Sequence, residues 1–200
     1  MRRLVAISSL LVAKTALAQY APNYAQGHSG IIHLFEWDWP TIADECEKFL
    51  GPKKVGGIQI SPPTENRIVD GQWWERYQPI SYGFTTRGGN QQQLQDMINH
   101  CNAVGVRIYP DIVINHMCGA GGSGTGTGGT SYNADAESFP GVPYSSLDFN
   151  DANCHSSSGN IENYQDVNQV RNCRLVSLLD LNQGNDYVRQ QIIGLMNELI

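Results

Sequence analysis

Three runs of apolar and β-branched residues, separated by two stretches of helical period, set the pattern of the first half of this chain. Gly30–Trp37 is apolar through Ile31, Ile32, Leu34 and Phe35 and ends in Glu36 and Trp37, which predicts a strand with a polar and aromatic exit. Pro40 then stands at a helix start, where its missing N–H costs nothing. Ile42, Cys46, Phe49 and Leu50 share one face of that helix until Gly51–Pro52 stops it. Val55–Ile60 predicts a second strand, closed by Ser61–Pro63. Asn90 caps a second helix, with Gln93 placed to complete a capping box; Leu94, Met97, Ile98 and Cys101 recur at helical spacing, and Gly105 ends the element. The third run, Val106–Met117, reads as a buried parallel strand. Strand, helix, strand, helix, strand is the pattern of a parallel sheet with right-handed crossovers. Polar and aromatic residues gather after each strand, where α/β enzymes keep their chemistry.

After His116 the pattern breaks. Gly119–Gly129 is almost all Gly, Ser and Thr. A phosphate loop would need a lysine, and none lies there, so a flexible surface excursion is the expectation. Residues 130–183 are irregular, rich in Asn, Asp, Tyr and Gly, and contain Cys154 and Cys173, which suggests a small cystine-stapled subdomain inserted after the third strand. Helical period returns from Asp186 through Val188, Ile192, Leu195, Met196 and Leu199. A three-stranded parallel sheet with bare edges is a poor stopping point, so the sequence reads as a fragment.

Composition and charge narrow the function. A net charge of −6 argues against a nucleic-acid partner. Arg2 and Arg3, the apolar Leu4–Ala13 and the small Ala16-Leu17-Ala18 form a signal peptide over residues 1–18, with the mature chain starting at Gln19 and the protein secreted rather than membrane-bound. In such a chain the five cysteines, Cys46, Cys101, Cys118, Cys154 and Cys173, should mostly pair, and one is left over. The third run delivers Asp111, Asn115 and His116 close together. Burying them unpaired is costly. Two readings stay open on these residues alone: a satisfied polar cluster at a strand end, or a site that holds a cation and grips a ligand.

Several motifs together resemble a known family. They are His33-Leu-Phe-Glu-Trp37, Ser61-Pro-Pro63, Trp73-Trp-Glu-Arg-Tyr-Gln-Pro79, Val104-Gly-Val-Arg-Ile-Tyr109 and Asp111–His116. Val142-Pro-Tyr144, Asp148-Phe-Asn-Asp151, Ile161-Glu-Asn-Tyr164, Cys173-Arg-Leu175 and Leu179-Asp-Leu181 continue the match. From about Gln19 onward the chain resembles the N-terminal part of animal-type α-amylases, in glycoside hydrolase family thirteen. The resemblance implies an α/β fold: the N-terminal part of a (β/α)8 TIM barrel with a calcium-binding subdomain inserted after the third strand. Residues 19–115 would form the first three strands and two helices, 116–183 the insert, and 184–200 the next barrel helix.

By the same resemblance Asn115, the Arg171 backbone carbonyl and Asp180 bind calcium, a hard cation that takes such oxygens. His116 would support the transition state, with Asp111 bracing it. Trp73, Trp74, Tyr77, Gln78 and His116 would line the glucan cleft, with Tyr164 and Leu175 closing it from the insert. Cys46 would pair with Cys101 and Cys154 with Cys173, leaving Cys118 free. Many relatives carry a further bridge from the position of Thr85 to the Gly-rich loop; its cysteines are missing here, so that loop is expected to be less tethered. A retaining glycosidase needs two carboxyl groups about 5 Å apart. The resemblance places both, and the chloride ligands, after residue 200, so these residues alone are expected to hydrolyse nothing. The implied parent is a monomeric α-amylase acting on starch, glycogen and malto-oligosaccharides. The competing reading is a non-catalytic, calcium-dependent α-glucan-binding protein.

Overall fold

A computed structural model describes residues 23–200; the signal-peptide reading of residues 1–18 lies outside the described residues. Three parallel strands, β1 (Ser29–Leu34), β2 (Val55–Ile60) and β3 (Arg107–Pro110), form one sheet in the order β1-β2-β3. The crossovers are α1 (Trp39–Glu45), continued by a π-helical turn over Cys46–Leu50, and α2 (Gln91–Ala103). Asp38 caps α1 through the Thr41 N–H, and Asn90 with Gln93 forms the capping box that the sequence predicts for α2. Gly105 ends this crossover at φ 81°, a left-handed conformation, and a Cβ there would stand 2.8 Å from the His28 ring.

The π-turn corrects one expectation. Gly51 N–H donates to the Cys46 carbonyl, five residues back, and this wider turn rotates the helix face. Ile42, Cys46 and Leu50 stay buried, but Phe49 turns outward to 50% exposure, with the Lys53 ammonium over its ring.

The third apolar run is not one strand. The last sheet hydrogen bond runs from Asp111 N–H to the Ile60 carbonyl, after which the chain leaves the sheet. Ile112, Val113 and Ile114 bury themselves without strand pairing, Ile114 between two cores. His116–Gly119 then forms β4, antiparallel to β7 (Leu178–Asp180). Asn115 and His116 therefore stand at the start of a second, two-stranded sheet rather than at the exit of the first. A burial pattern alone cannot separate a strand from an extended segment buried between two layers.

The Gly-rich stretch is also different from expectation. Ser123–Thr125 (β5) and Ser131–Asn133 (β6) pair as a hairpin. Glu65, 2% exposed, holds its turn: Oε1 accepts from Gly128 N–H at 2.8 Å and Thr130 N–H at 2.9 Å, while Oε2 accepts from the Ser81 hydroxyl. Burial works against this charge, but these donors outweigh it and hold the carboxyl below its usual range. The Thr127 hydroxyl donates to the Thr85 carbonyl at 2.6 Å, a polar tie where relatives would carry a bridge. A short helix, α3 (Val167–Asn172), capped by Asp166, adds order to a stretch that the sequence reads as irregular.

Two apolar cores result. One lies between the sheet and α1 and α2, around Trp39, Ile42, Ile58, Ile60, Met97 and Val106. The other lies under the insert, around Ile80, Met117, Phe139, Phe149, Leu179 and Leu181. The final helix α4 (Asp186–Leu199), capped by Asn185, joins them: Leu195 enters the first core, Val188 and Ile192 the second. Disulfides link Cys46 to Cys101 and Cys154 to Cys173, and Cys118 is a buried free thiol pushed up to about 12 by burial.

Candidate functional site

The loop after β2 carries one turn of 3-10 helix over Trp73–Tyr77. Its charged residues Glu75 and Arg76 are buried, while Trp73 and Trp74 are exposed, an inversion of the usual order. The two tryptophans, held on a buried ionic base, belong to the surface and not to a core. A cavity of about 610 Å³ opens beside them. It is lined by Arg67–Val69, by Trp74, Tyr77 and Gln78, by Gly119 and Ala120, and by Val176, Ser177 and Leu178. Aromatic faces suit the apolar faces of sugar rings, and the surrounding amide and carbonyl groups suit hydroxyls.

Each expected ligand residue has a defined place. Tyr77 donates its hydroxyl to Asp111 Oδ2 at 2.7 Å, and burial with this bond raises its pKa. The His116 ring bonds the Tyr77 carbonyl through Nε2 at 2.9 Å, and this nitrogen must be the donor because a carbonyl can only accept. Burial lowers the His116 pKa, against the opposing Tyr77 contact. The other ring nitrogen, Nδ1, stands 3.4 Å from Asn115 Nδ2, which ties His116 to the polar cluster around Asp180. Gln78 is 8% exposed and accepts Gly119 N–H through Oε1 at 2.9 Å, so half of its amide is committed to the fold. Tyr164 and Leu175 are exposed, at 63% and 41%, but neither lines this cavity.

The sequence reading missed the lining from Val176, Ser177 and Leu178. Val176 and Ser177 sit at φ 43° and 68°, a left-handed pair in which a β-branched residue is strained. Ser177 N–H donates to Asn160 Oδ1, and Ser177 carbonyl accepts from Ala120 N–H, so contacts from two other segments hold the turn. Nothing in local composition signals a left-handed valine; the tertiary contacts impose it.

The expected cation ligands come together in part. Asp180 is 9% exposed, with Oδ1 accepting from Asn115 Nδ2 at 3.2 Å and Oδ2 from Asn150 Nδ2 at 2.9 Å. Burial, with the negative charge of Asp151 added, raises its pKa despite these amide donors. A buried carboxylate held only by neutral amides fits a hard cation. The Asn115 amide would present its oxygen after a half-turn. Arg171 lies in the last turn of α3, where main-chain carbonyls lack helical partners. Among the described residues no three His, Cys, Asp or Glu converge, so a cation here would depend on amide and main-chain oxygens. Asn115 and Asp180 thus stand together and carry oxygens of the kind a hard cation takes, while Arg171 is placed only at the end of α3.

Comparison with known proteins adds an independent observation. No family model matches the chain. The α-amylase of Pecten maximus is 58% identical over 181 residues, which is 90% of this chain and 36% of that protein. The pancreatic α-amylase of Sus scrofa is 56% identical over 188 residues, 92% of this chain and 37% of that protein. Among solved structures, a mutant of α-amylase I from Eisenia fetida in complex with maltohexaose superposes with a TM-score of 0.85 at 44% identity, covering 88% of this chain and 36% of that one. The chain therefore spans a little over a third of the length of the curated relatives it matches.

Proposed function

Because the chain belongs to the animal-type α-amylase family along the stretch that aligns, we propose that it forms the N-terminal part of a secreted enzyme that hydrolyses internal α-1,4-glucosidic bonds of starch and glycogen with retention. The observation that carries this reading is the exposed Trp73–Trp74 pair beside the cavity walled by Trp74, Tyr77 and Gln78. In it, β1 to β3 are the first strands of a (β/α)8 barrel, residues 116–183 are the insert, and the cavity between them is part of the glucan cleft. Trp73, Trp74 and Tyr77 take the apolar ring faces, Gln78 a hydroxyl, and Tyr164 and Leu175 extend the far wall. His116, braced through Tyr77 and Asp111, supports the transition state at the sugar being cleaved. Calcium would be held by Asn115, Arg171 and Asp180 and would supply a fixed positive charge tying the insert to the barrel rim.

The nucleophile and the acid, and the residues that hold chloride, lie outside these 200 residues in this reading, so the chain alone binds glucan and does not cleave it. The maltohexaose bound by the Eisenia fetida relative supports an α-1,4-glucan as the ligand. The test is the anomer released when the whole protein acts on a malto-oligosaccharide, followed by NMR. An α-anomer as first product is expected. Binding without cleavage would overturn the enzyme reading and leave the glucan-binding protein in its place.

A further inference from the structure

The exposed aromatic turn rests on a cluster of four charges. Arg76 is wholly buried, and its Nε, Nη1 and Nη2 have no hydrogen-bond acceptor. The guanidinium lies 5.3 Å from the Trp39 ring centroid, and Nε stands 3.8 Å from Glu36 Oε1, which itself lacks a donor. Glu36 Oε2 pairs with Arg87 Nη2. Arg87 Nη1 reaches Glu75 Oε1 and the Gln72 carbonyl, both at 3.4 Å, and Glu75 Oε2 accepts Val69 N–H at 3.0 Å. The cluster thus joins the exit of β1, both ends of the turn and the segment before α2.

The backbone is shaped around it. Glu36 is left-handed at φ 65°, with its N–H given to the Ser61 hydroxyl. Residue 88 must be glycine, because a Cβ there would lie 2.6 Å from Arg76 Nη2 and 3.0 Å from the Trp39 ring. Phe35, next to Glu36, meets Trp73 edge-on at 5.6 Å, and Trp73 meets Tyr77 at 6.0 Å.

A leucine or methionine would fill the space of Arg76 without the desolvation cost of a guanidinium that makes no hydrogen bonds. The charge does nothing for packing that an apolar side chain would not do. What it adds is direction, since a charge between an aromatic face and a carboxylate in a weakly screening interior has one favoured placement. We infer that Arg76 is a positioning residue: with Glu36, Glu75 and Arg87 it fixes the attitude of the Trp73–Tyr77 turn and so sets affinity for an α-1,4-glucan. This rests on the reading that the turn binds glucan.

The test is steady-state kinetics of the whole enzyme on maltohexaose, with Arg76→Lys, Arg87→Met and Trp73→Ala compared. Arg76→Lys keeps the charge but loses the flat stacking group. Arg87→Met removes the outer part of the cluster at a position 38% exposed, so it does not hollow the core. Both are expected to raise KM about tenfold while kcat falls less than about twofold, the mark of displaced binding groups rather than altered chemistry. Near-ultraviolet circular dichroism should shift with KM as the tryptophans reorient. Raised KM for Trp73→Ala with unchanged KM and spectrum for Arg87→Met overturns the inference, also when Arg76→Lys fails to fold, since Arg76 is then a packing residue. Unchanged KM for Trp73→Ala instead overturns the underlying glucan-cleft reading.

Discussion

At Glu137 a carboxyl group shares one guanidinium with a second acid. Arg174 Nη2 reaches Glu137 Oε1 at 2.9 Å, and Arg174 Nε reaches Asp151 Oδ1 at 2.8 Å. Burial, followed by the contact with Asp151, pushes Glu137 up to about 7, with Arg174 opposing. A folded-state pKa above the unfolded value contributes stability below the unfolded pKa and loses it as pH rises through the folded one. The insert is therefore expected to lose stability between about pH 4.5 and 7 as Glu137 ionises. Glu137→Gln, which keeps the acceptor for Arg174, should flatten the melting temperature over that window; an unchanged slope would refute it. His116 gives a second prediction at this scale. Its Nε2 N–H is committed to the Tyr77 carbonyl, and its Nδ1 stands 3.4 Å from Asn115 Nδ2. His116→Ala in the whole enzyme should lower kcat by roughly ten- to a hundredfold, more than it raises KM.

Among elements, two long-range ties are the Cys46–Cys101 bridge and the Glu65 clasp. The bridge spans 55 residues and joins the turn after α1 to α2. Replacing both cysteines by alanine should cost about 4 kcal/mol in the chain-entropy model, measured by denaturant unfolding. The clasp is a carboxylate that accepts two main-chain N–H groups of the hairpin. Glu65→Ala strands those donors, at about 1–3 kcal/mol each when buried. Hydrogen exchange at Gly128 and Thr130 should accelerate while exchange in α2 stays slow. Equal acceleration in both would mean that the hairpin and the sheet open as one unit.

For the molecule as a whole, the join between the two cores matters most. It consists of the buried segment around Ile114, the β4–β7 pair and α4, and the proposed calcium ligands Asn115 and Asp180 stand on it. A cation there binds only the folded arrangement, so it stabilises by mass action. Calcium at a hundredfold above its Kd should add about 2.7 kcal/mol, a rise in Tm of roughly 5–10 °C. Asp180→Asn should abolish that rise. A chelator without effect on the unmodified protein would remove calcium from this reading.

The sequence by itself determined the parallel strand–helix order, the capping box at Asn90, the stop at Gly105 and the family. Each of these rests on local chemistry: periodicity, caps, turn formers and motifs of contiguous residues. The resemblance grouped Trp73, Trp74, Tyr77 and Gln78, which are contiguous in one motif, and Trp74, Tyr77 and Gln78 line one cavity. The tertiary structure alone decided where the third run divides, since Ile112 packs against the first core and Ile114 against both, rather than pairing in a sheet. It alone ordered the Gly-rich hairpin, whose partner Glu65 is some sixty residues away. It turned Phe49 outward through one wide helical turn. It built the Val176–Ser177 wall, committed the His116 N–H and set a charge cluster beneath the aromatic turn. These features come from contacts between segments distant in sequence, and no periodicity along a chain encodes which distant donor will meet which acceptor.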